Sequence, residues 1–207
     1  MMARRTWVKV EPTKKRQTAG KATGPRTIHQ LKITLEDVDP PIWRRVQVRS
    51  GISLYKLHRV IQAAMGWKDY HLHEFEVQDV AYGMTDPATD PPAGLLSDKD
   101  HKLGEVVPGP EAAFLYNYDF GDDWLLRVEV EKVIPPEPDR PYPVCLAGER
   151  SGPPEDSGGP GGYQDMLEAL ADPDHPDREE ILDWIGENYN PEAFDLQALN
   201  RRLARLR

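Results

Sequence analysis

The chain has 207 residues, 26 Lys and Arg against 35 Asp and Glu, a formal net charge of -9 and a pI of about 5.2. That length suffices for a core that needs no disulfides, and a lone cysteine, Cys145, excludes both a disulfide-stapled scaffold and a zinc site built on several thiolates. The acidic balance excludes a strongly basic groove-binding nucleic-acid domain. No apolar run approaches a membrane span or follows the basic N-terminus as a signal-peptide core, so a soluble cytoplasmic protein without a membrane partner is expected.

Residues 1–26 hold eight basic side chains and one acid, Glu11, a charge of +7 that leaves -16 for the rest. With few large apolar groups and no period, residues 1–25 read as a flexible basic leader, the one part suited to nucleic acid. Residues 26–207 read as the folded domain. Leu31, Ile33 and Leu35 alternate with Lys32 and Thr34 as a half-buried strand does, Pro40-Pro41 stops it, and Ile42, Arg44, Val46 and Val48 share one side of a hairpin partner. Ser53 then caps a helix with apolar residues at Leu54, Leu57, Val60, Ile61, Ala64 and Met65, and Gly66 ends it.

Residues 70–77 alternate again, with His71, His73, Phe75 and Val77 on one face. Residues 79–102, rich in Asp, Pro and Gly, read as a long surface loop. A second hairpin pairs residues 113–120, where Phe114, Tyr116, Tyr118 and Phe120 share a face, with residues 124–134, across the turn Gly121-Asp122-Asp123. Residues 135–143 read as extended, 148–162 as a Gly/Pro loop, and helices are expected at 163–171, 176–185 and 195–207. Strands first and helices last predict an α+β fold: a mostly antiparallel sheet, one helix inserted after the first hairpin, and a C-terminal group of helices.

These motifs resemble the plasmid pRiA4b ORF-3-like family. The resemblance is carried by Pro41-Ile42-Trp43-Arg44-Arg45, Ala64-Met65-Gly66-Trp67, His71-Leu72-His73-Glu74-Phe75, the run from Tyr116 to Trp124, Cys145 to Arg150, Pro153-Pro154-Glu155-Asp156 and Pro191 to Asp195, in order from about Ile28 onward. It implies an α+β domain found on plasmids and as a passenger of mobile elements, without an established activity. The family pattern also leads one to expect a second cysteine where this chain has Ser157, which puts any two-thiol role in doubt.

Two constellations bear chemistry. On a strand, His71 and His73 would share a face at roughly 7 Å and could converge on one metal. A third ligand would come from Asp119, Asp122 or Asp123, and Glu74 would face away. The competing reading packs both histidines beside the sheet. Around the second turn, Asp119, Asp122 and Asp123 crowd together, which favours a bound cation, a neighbouring arginine such as Arg44 or Arg45, or a raised carboxyl pKa. The competing reading here bonds them to turn amides. The glycines of 148–162 lack a P-loop ending, and Glu155 and Asp156 would repel a phosphate. Serines lack a nucleophile-elbow context, Cys145 has no histidine nearby in sequence, and the early strand lacks the Ser and arginine cluster of a recombinase.

Without a complete catalytic set, the sequence favours a non-enzymatic module that binds a protein or peptide through Trp43, Trp67, Tyr116, Tyr118 and Trp124 beside Asp119 to Asp123, with Arg44, His71 and His73 at the site. No cofactor is expected apart from a divalent metal held by His71, His73, Asp119 and Asp122. That metal would make the alternative a metal-dependent hydrolase acting on phosphoesters.

Overall fold

Alternating apolar residues build the first hairpin as expected: β1 (Ile28–Leu35) pairs antiparallel with β2 (Trp43–Arg49), from Ile28 opposite Arg49 to Thr34 opposite Trp43. The computed structural model describes residues 27–85, 94–186 and 188–207, so the leader and its expected nucleic-acid contact lie outside the described residues. Helix α1 (Leu54–Met65) starts where the Ser53 side chain accepts from Lys56 N–H and ends at Gly66, whose φ of 91° is the left-handed stop that glycine permits.

Next comes β3 (His73–Val77), then β4 (Val80–Gly83). Gln78 and Asp79 both take positive φ, 52° and 64°, the geometry of a two-residue hairpin turn. The 79–102 segment, expected as one loop, therefore contains two strands, β4 and the short β5 (Leu95–Ser97); Gln-Asp is a weak signal for such a turn. A single-turn helix, α2 (Leu103–Val106), leads to β6 (Ala113–Tyr118) and β7 (Trp124–Ile134). Residues 144–149 also depart from expectation, forming the edge strand β8 (Val144–Glu149) on β2. Three helices close the chain: α3 (Gly159–Ala171), α4 (Arg178–Ile185) and α5 (Leu196–Ala204). The first begins four residues earlier than its apolar period suggests, because Pro160 suits a first turn whose N–H groups need no partner inside the helix.

Among the described residues the strands form one sheet in the order β5-β4-β3-β6-β7-β1-β2-β8, antiparallel throughout except between β4 and β5. The fold is α+β. Cross-strand rows aim inward in register: Ile33, Val128 and Phe114, then Leu35, Leu126, Tyr116 and Phe75. The opposite face is polar, and there Arg45 makes a two-pronged ion pair with Glu131 at 2.7 Å per contact.

Helix α1 docks on the inner face through a buried polar layer. The Tyr116 hydroxyl lies 2.7 Å from His58 Nδ1 and accepts from Gln62 Nε2, while His58 Nε2 lies 2.8 Å from Asp69 Oδ1. A consistent proton assignment puts the hydrogen of a neutral His58 on Nε2, leaving Nδ1 to accept from tyrosine. His58 stacks on His73 with ring centres 3.6 Å apart, and His73 Nε2 contacts Asp98 Oδ2 at 2.9 Å.

Burial, reinforced by the neighbouring His73, lowers the His58 pKa to about 4 from its usual 6.5. Because the folded value lies below the unfolded one, the unfolded chain takes up the proton first as pH falls, and stability is lost between about pH 6.5 and 4. Urea unfolding should show a loss approaching 1.4 kcal/mol per pH unit within that window from this residue, about one proton's worth. His58→Gln should be less stable at pH 7 yet flatter with pH. An unchanged slope in that variant would contradict the assignment.

Candidate functional site

The β6–β7 hairpin turn is built on two aspartates in left-handed conformations, Asp119 at φ 58° and Asp123 at φ 56°, a geometry that aspartate tolerates better than most residues. The carbonyl of Asp119 accepts from Asp123 N–H at 2.6 Å. Its side chain folds back so that Oδ1 accepts from the amides of Gly121 and Asp122, leaving Oδ2 turned toward the neighbouring strand. Pairing of His73 with Tyr118 brings the segment before β3 alongside, and Asp119 N–H donates to Leu72 C=O at 3.0 Å. His71 is thereby held against the turn.

A third segment arrives from the stretch between β8 and α3. Gly159 sits at φ 69°, and a Cβ there would overlap the Asp122 carbonyl oxygen. The chain ahead of it is tied down as well: Asp122 Oδ2 accepts from Gly158 N–H, Glu155 accepts from the Tyr118 hydroxyl and from Lys68 N–H, and Trp67 Nε1 donates to Pro153 C=O. Asp156 is thus delivered to His71. His71 Nε2 lies 2.9 Å from Asp156 Oδ1 and 3.5 Å from Asp119 Oδ2. That nitrogen is shielded from solvent and aligned for a hydrogen bond to neither carboxylate. One donor atom from each of these three residues falls within 4.8 Å of the others.

This set differs from the expected one. His73 points the other way, into the core with Asp98 and His58, because β3 begins only at His73 and His71 lies in the bend before it; the two histidines do not share a face. Asp122 is engaged by Gly158, and Asp123 Oδ1 accepts from Asn117 Nδ2 at 2.8 Å. Arg44 joins none of these acids: it is buried, and its guanidinium donates to the carbonyls of Trp43, Ala64, Glu149 and Arg150. The expected aromatic surface is largely core. Trp67, Tyr116, Tyr118 and Trp124 are buried, with Tyr118 stacked on Trp67 at 4.8 Å and its hydroxyl pKa raised by burial. Trp43 lies instead on the polar face, beneath Arg45.

Around the turn, Tyr70 (64%), Leu72 (54%) and Phe120 (55%) are exposed. Phe120 leaves the inward face expected for it because the left-handed Asp119 turns the chain before it. These three side chains flank His71 and follow Asp119, so a polar centre has an apolar rim. Asp156 is a site residue that spacing alone does not reveal. Its signal is the Pro-Pro-Glu-Asp motif, whose acids, considered locally, say only that a phosphate would be repelled.

Three motifs far apart in sequence, His71-Leu72-His73, Asp119 to Trp124 and Pro153 to Asp156, converge at this point. A model of the plasmid pRiA4b ORF-3-like protein family matches residues 27–198. The chain belongs to that family. It is 40% identical over 177 residues to the uncharacterized protein y4hQ of Sinorhizobium fredii, covering 84% of this chain and 90% of that one. It also resembles the crystal structure of MM3350 from Methanosarcina mazei Go1, a protein of unknown function, with a TM-score of 0.75 and 38% identity over 84% of this chain and 98% of that one. At Ser157, where the family pattern leads one to expect cysteine, the hydroxyl donates to Pro154 C=O at 2.9 Å. Cys145 is buried, and burial raises its thiol pKa. No helix among the described residues is long and apolar enough to cross a membrane.

The approach of Gly159 to Asp122 gives a direct test of how the site is assembled. Gly159→Ala adds a backbone clash to a positive φ and should cost about 2–4 kcal/mol, read as a drop in urea midpoint. Hydrogen exchange should rise at the Gly158 and Asp122 amides. A variant as stable as the parent would mean that the segment does not depend on this contact.

Proposed function

We propose that this chain is a non-enzymatic module that binds a protein or peptide partner through the face around His71, Asp119 and Asp156. The observation that carries this reading is the exposed trio Tyr70, Leu72 and Phe120 at the convergence of three motifs, in a domain that buries most of its other large aromatics. Exposed apolar side chains gathered about a polar centre are a common form of recognition surface, and burying them drives association at roughly 25 cal/mol per Å² before ordering costs. The carboxylates at the centre would select partners presenting a cation or hydrogen-bond donors.

The combined variant Leu72→Ser/Phe120→Ser should leave thermal stability within about 0.5 kcal/mol of the parent, since both side chains are exposed. Purified from its own host after cross-linking, the parent should carry a stoichiometric partner and the variant should lose it. A partner retained by the variant, or none on the parent, would defeat the proposal.

The donor geometry favours one second reading, a metal-dependent hydrolase. His71, Asp119 and Asp156 offer one imidazole nitrogen and two carboxylate oxygens, a donor set suited to Zn²⁺ or Mn²⁺, and such a metal supplies an activated water for phosphoester cleavage. Asp156 here replaces the His73 and Asp122 of the expected ligand set. Elemental analysis decides it: one equivalent of metal, lost in His71→Ala, is expected. Less than stoichiometric metal, unchanged by that substitution, excludes the reading.

A further inference from the structure

A second feature lies away from the His71 centre. Between the C-terminal end of α1, the residues from Ser151 to Pro154 and helix α5 opens a cleft of about 610 Å³. Its walls carry Arg44, Arg201, Arg202 and Arg205 against one carboxylate, Asp195, in a domain whose overall charge is strongly negative.

Arg44 is the informative residue. It is only 3% exposed, it projects from the inward face of β2, and its four hydrogen bonds all go to carbonyl oxygens. No carboxylate lies within ion-pair reach of it among the described residues. Carbonyl dipoles solvate a guanidinium but leave its net charge uncancelled, and a buried uncompensated charge is costly. Its Cζ lies over the Phe194 ring, 4.9 Å from the ring centre, on the side of the cleft. Arg202, an exposed residue of α5, adds a second positive charge, with the charge of Asp195 as its neighbour. A Cβ on Gly66 would stand 3.5 Å from its Nη1, so the group lies close over the end of α1. Asp195, the one acid on the walls, caps α5 through Ala198 N–H, comes within 4.0 Å of Arg201, and its charge also acts on Arg202. Burial lowers the Arg44 guanidinium pKa to about 10, and the charge of Arg202 lowers it further; at Arg202 the lowering by partial burial is opposed by Asp195.

One buried guanidinium without a carboxylate, with three further arginines against a single acid on the walls, suits the cleft to a dianion. Inorganic phosphate is far smaller than this cleft, whose size matches sites for organic molecules. We propose that the cleft binds a small phosphate monoester, its phosphoryl group between Arg44 and Arg202 and its organic body along Phe194. Arginine suits a planar array of phosphate oxygens, and phosphate carries close to two negative charges near neutral pH.

Adenosine monophosphate, adenosine, inorganic phosphate and citrate serve as probes in calorimetric titrations of the whole chain. The monophosphate should bind saturably, adenosine at least about tenfold more weakly, and the affinity should fall as salt rises. Arg202→Gln should weaken monophosphate binding by about tenfold or more, the size of one charge-assisted hydrogen bond. Among the described residues the Arg202 side chain makes no hydrogen bond that holds the fold, so this variant should keep its melting temperature; Arg44 is left intact because its carbonyl bonds are structural. His71→Ala should bind as the parent does, which separates this site from the centre proposed above. Absence of saturable monophosphate binding, equal binding by adenosine, tighter binding of inorganic phosphate or citrate, or full affinity in Arg202→Gln would each overturn the proposal.

Discussion

At Gly159 the chain passes so close to the carbonyl of Asp122 that only a residue without a side chain fits, and it does so in a left-handed conformation. The whole His71 centre depends on that approach. The β6–β7 turn is fixed by its own aspartates, and strand pairing places His71 beside it, but Asp156 belongs to a stretch without regular secondary structure. Such a stretch stays close to a sheet only if its backbone groups find partners. Here Pro153 C=O accepts from Trp67 Nε1–H, Glu155 accepts from the Tyr118 hydroxyl and Lys68 N–H, and Gly158 N–H donates to Asp122 Oδ2. An irregular loop is thereby made as determined as a strand.

Beneath the turn, the sheet and α1 meet through polar groups rather than through hydrocarbon alone. His58 and Gln62 both bond the Tyr116 hydroxyl, Asp69 bonds their other ends, and the His58 ring lies flat on His73, which in turn leans on Asp98. An apolar layer in this position could slide by a turn of helix at modest cost. A hydrogen-bonded layer has one good arrangement, because each displaced donor or acceptor would be left buried without a partner, at about 1–3 kcal/mol apiece. The register of α1 on the sheet, and with it the place of Gly66-Trp67 and the loop bonded to Trp67, is set by this layer.

The sequence is most legible where structure is local. Ser53 and Gly66 bracket α1, and the 31-33-35 and 124-126-128-130 alternations mark strands, because each signal lies within a few residues of its effect. Edge elements are harder. β8 is brief and comes after a Pro-rich run, while β4 turns on Gln78-Asp79, a pair without glycine. The site is half legible. His71 and Asp119 stand out by residue type, but the spacing argument that joins His71 to His73 assumes a strand that in fact starts at His73. Asp156 meets His71 across a separation in sequence that no periodicity reports. Burial, too, is a property of the assembled sheet: Trp124 and Tyr118 look like surface candidates beside acids, and the rows of the inner face hide them.

Charge is organised in the same way at larger scale. The excess of acids is not spread evenly: Asp119, Asp122 and Asp123 of one hairpin turn gather with Glu155 and Asp156 of the segment beside it, while Arg201, Arg202 and Arg205 line one end of α5. Basic residues near that end suit the helix dipole, and acids in a turn suit its amides, so local capping explains much of each group. It does not explain Arg44. A lysine there could not reach four carbonyls at once, and a neutral residue would avoid the cost of a buried charge altogether. The fork of a guanidinium is what ties Trp43, Ala64, Glu149 and Arg150 together, joining β2, α1 and the end of β8 at one atom group. Its positive charge is inseparable from that geometry, and the surrounding structure supplies oxygen dipoles without a carboxylate. The domain therefore holds a fixed cation at the rim of its arginine-lined cleft for structural reasons, and carbonyl dipoles rather than a carboxylate solvate it.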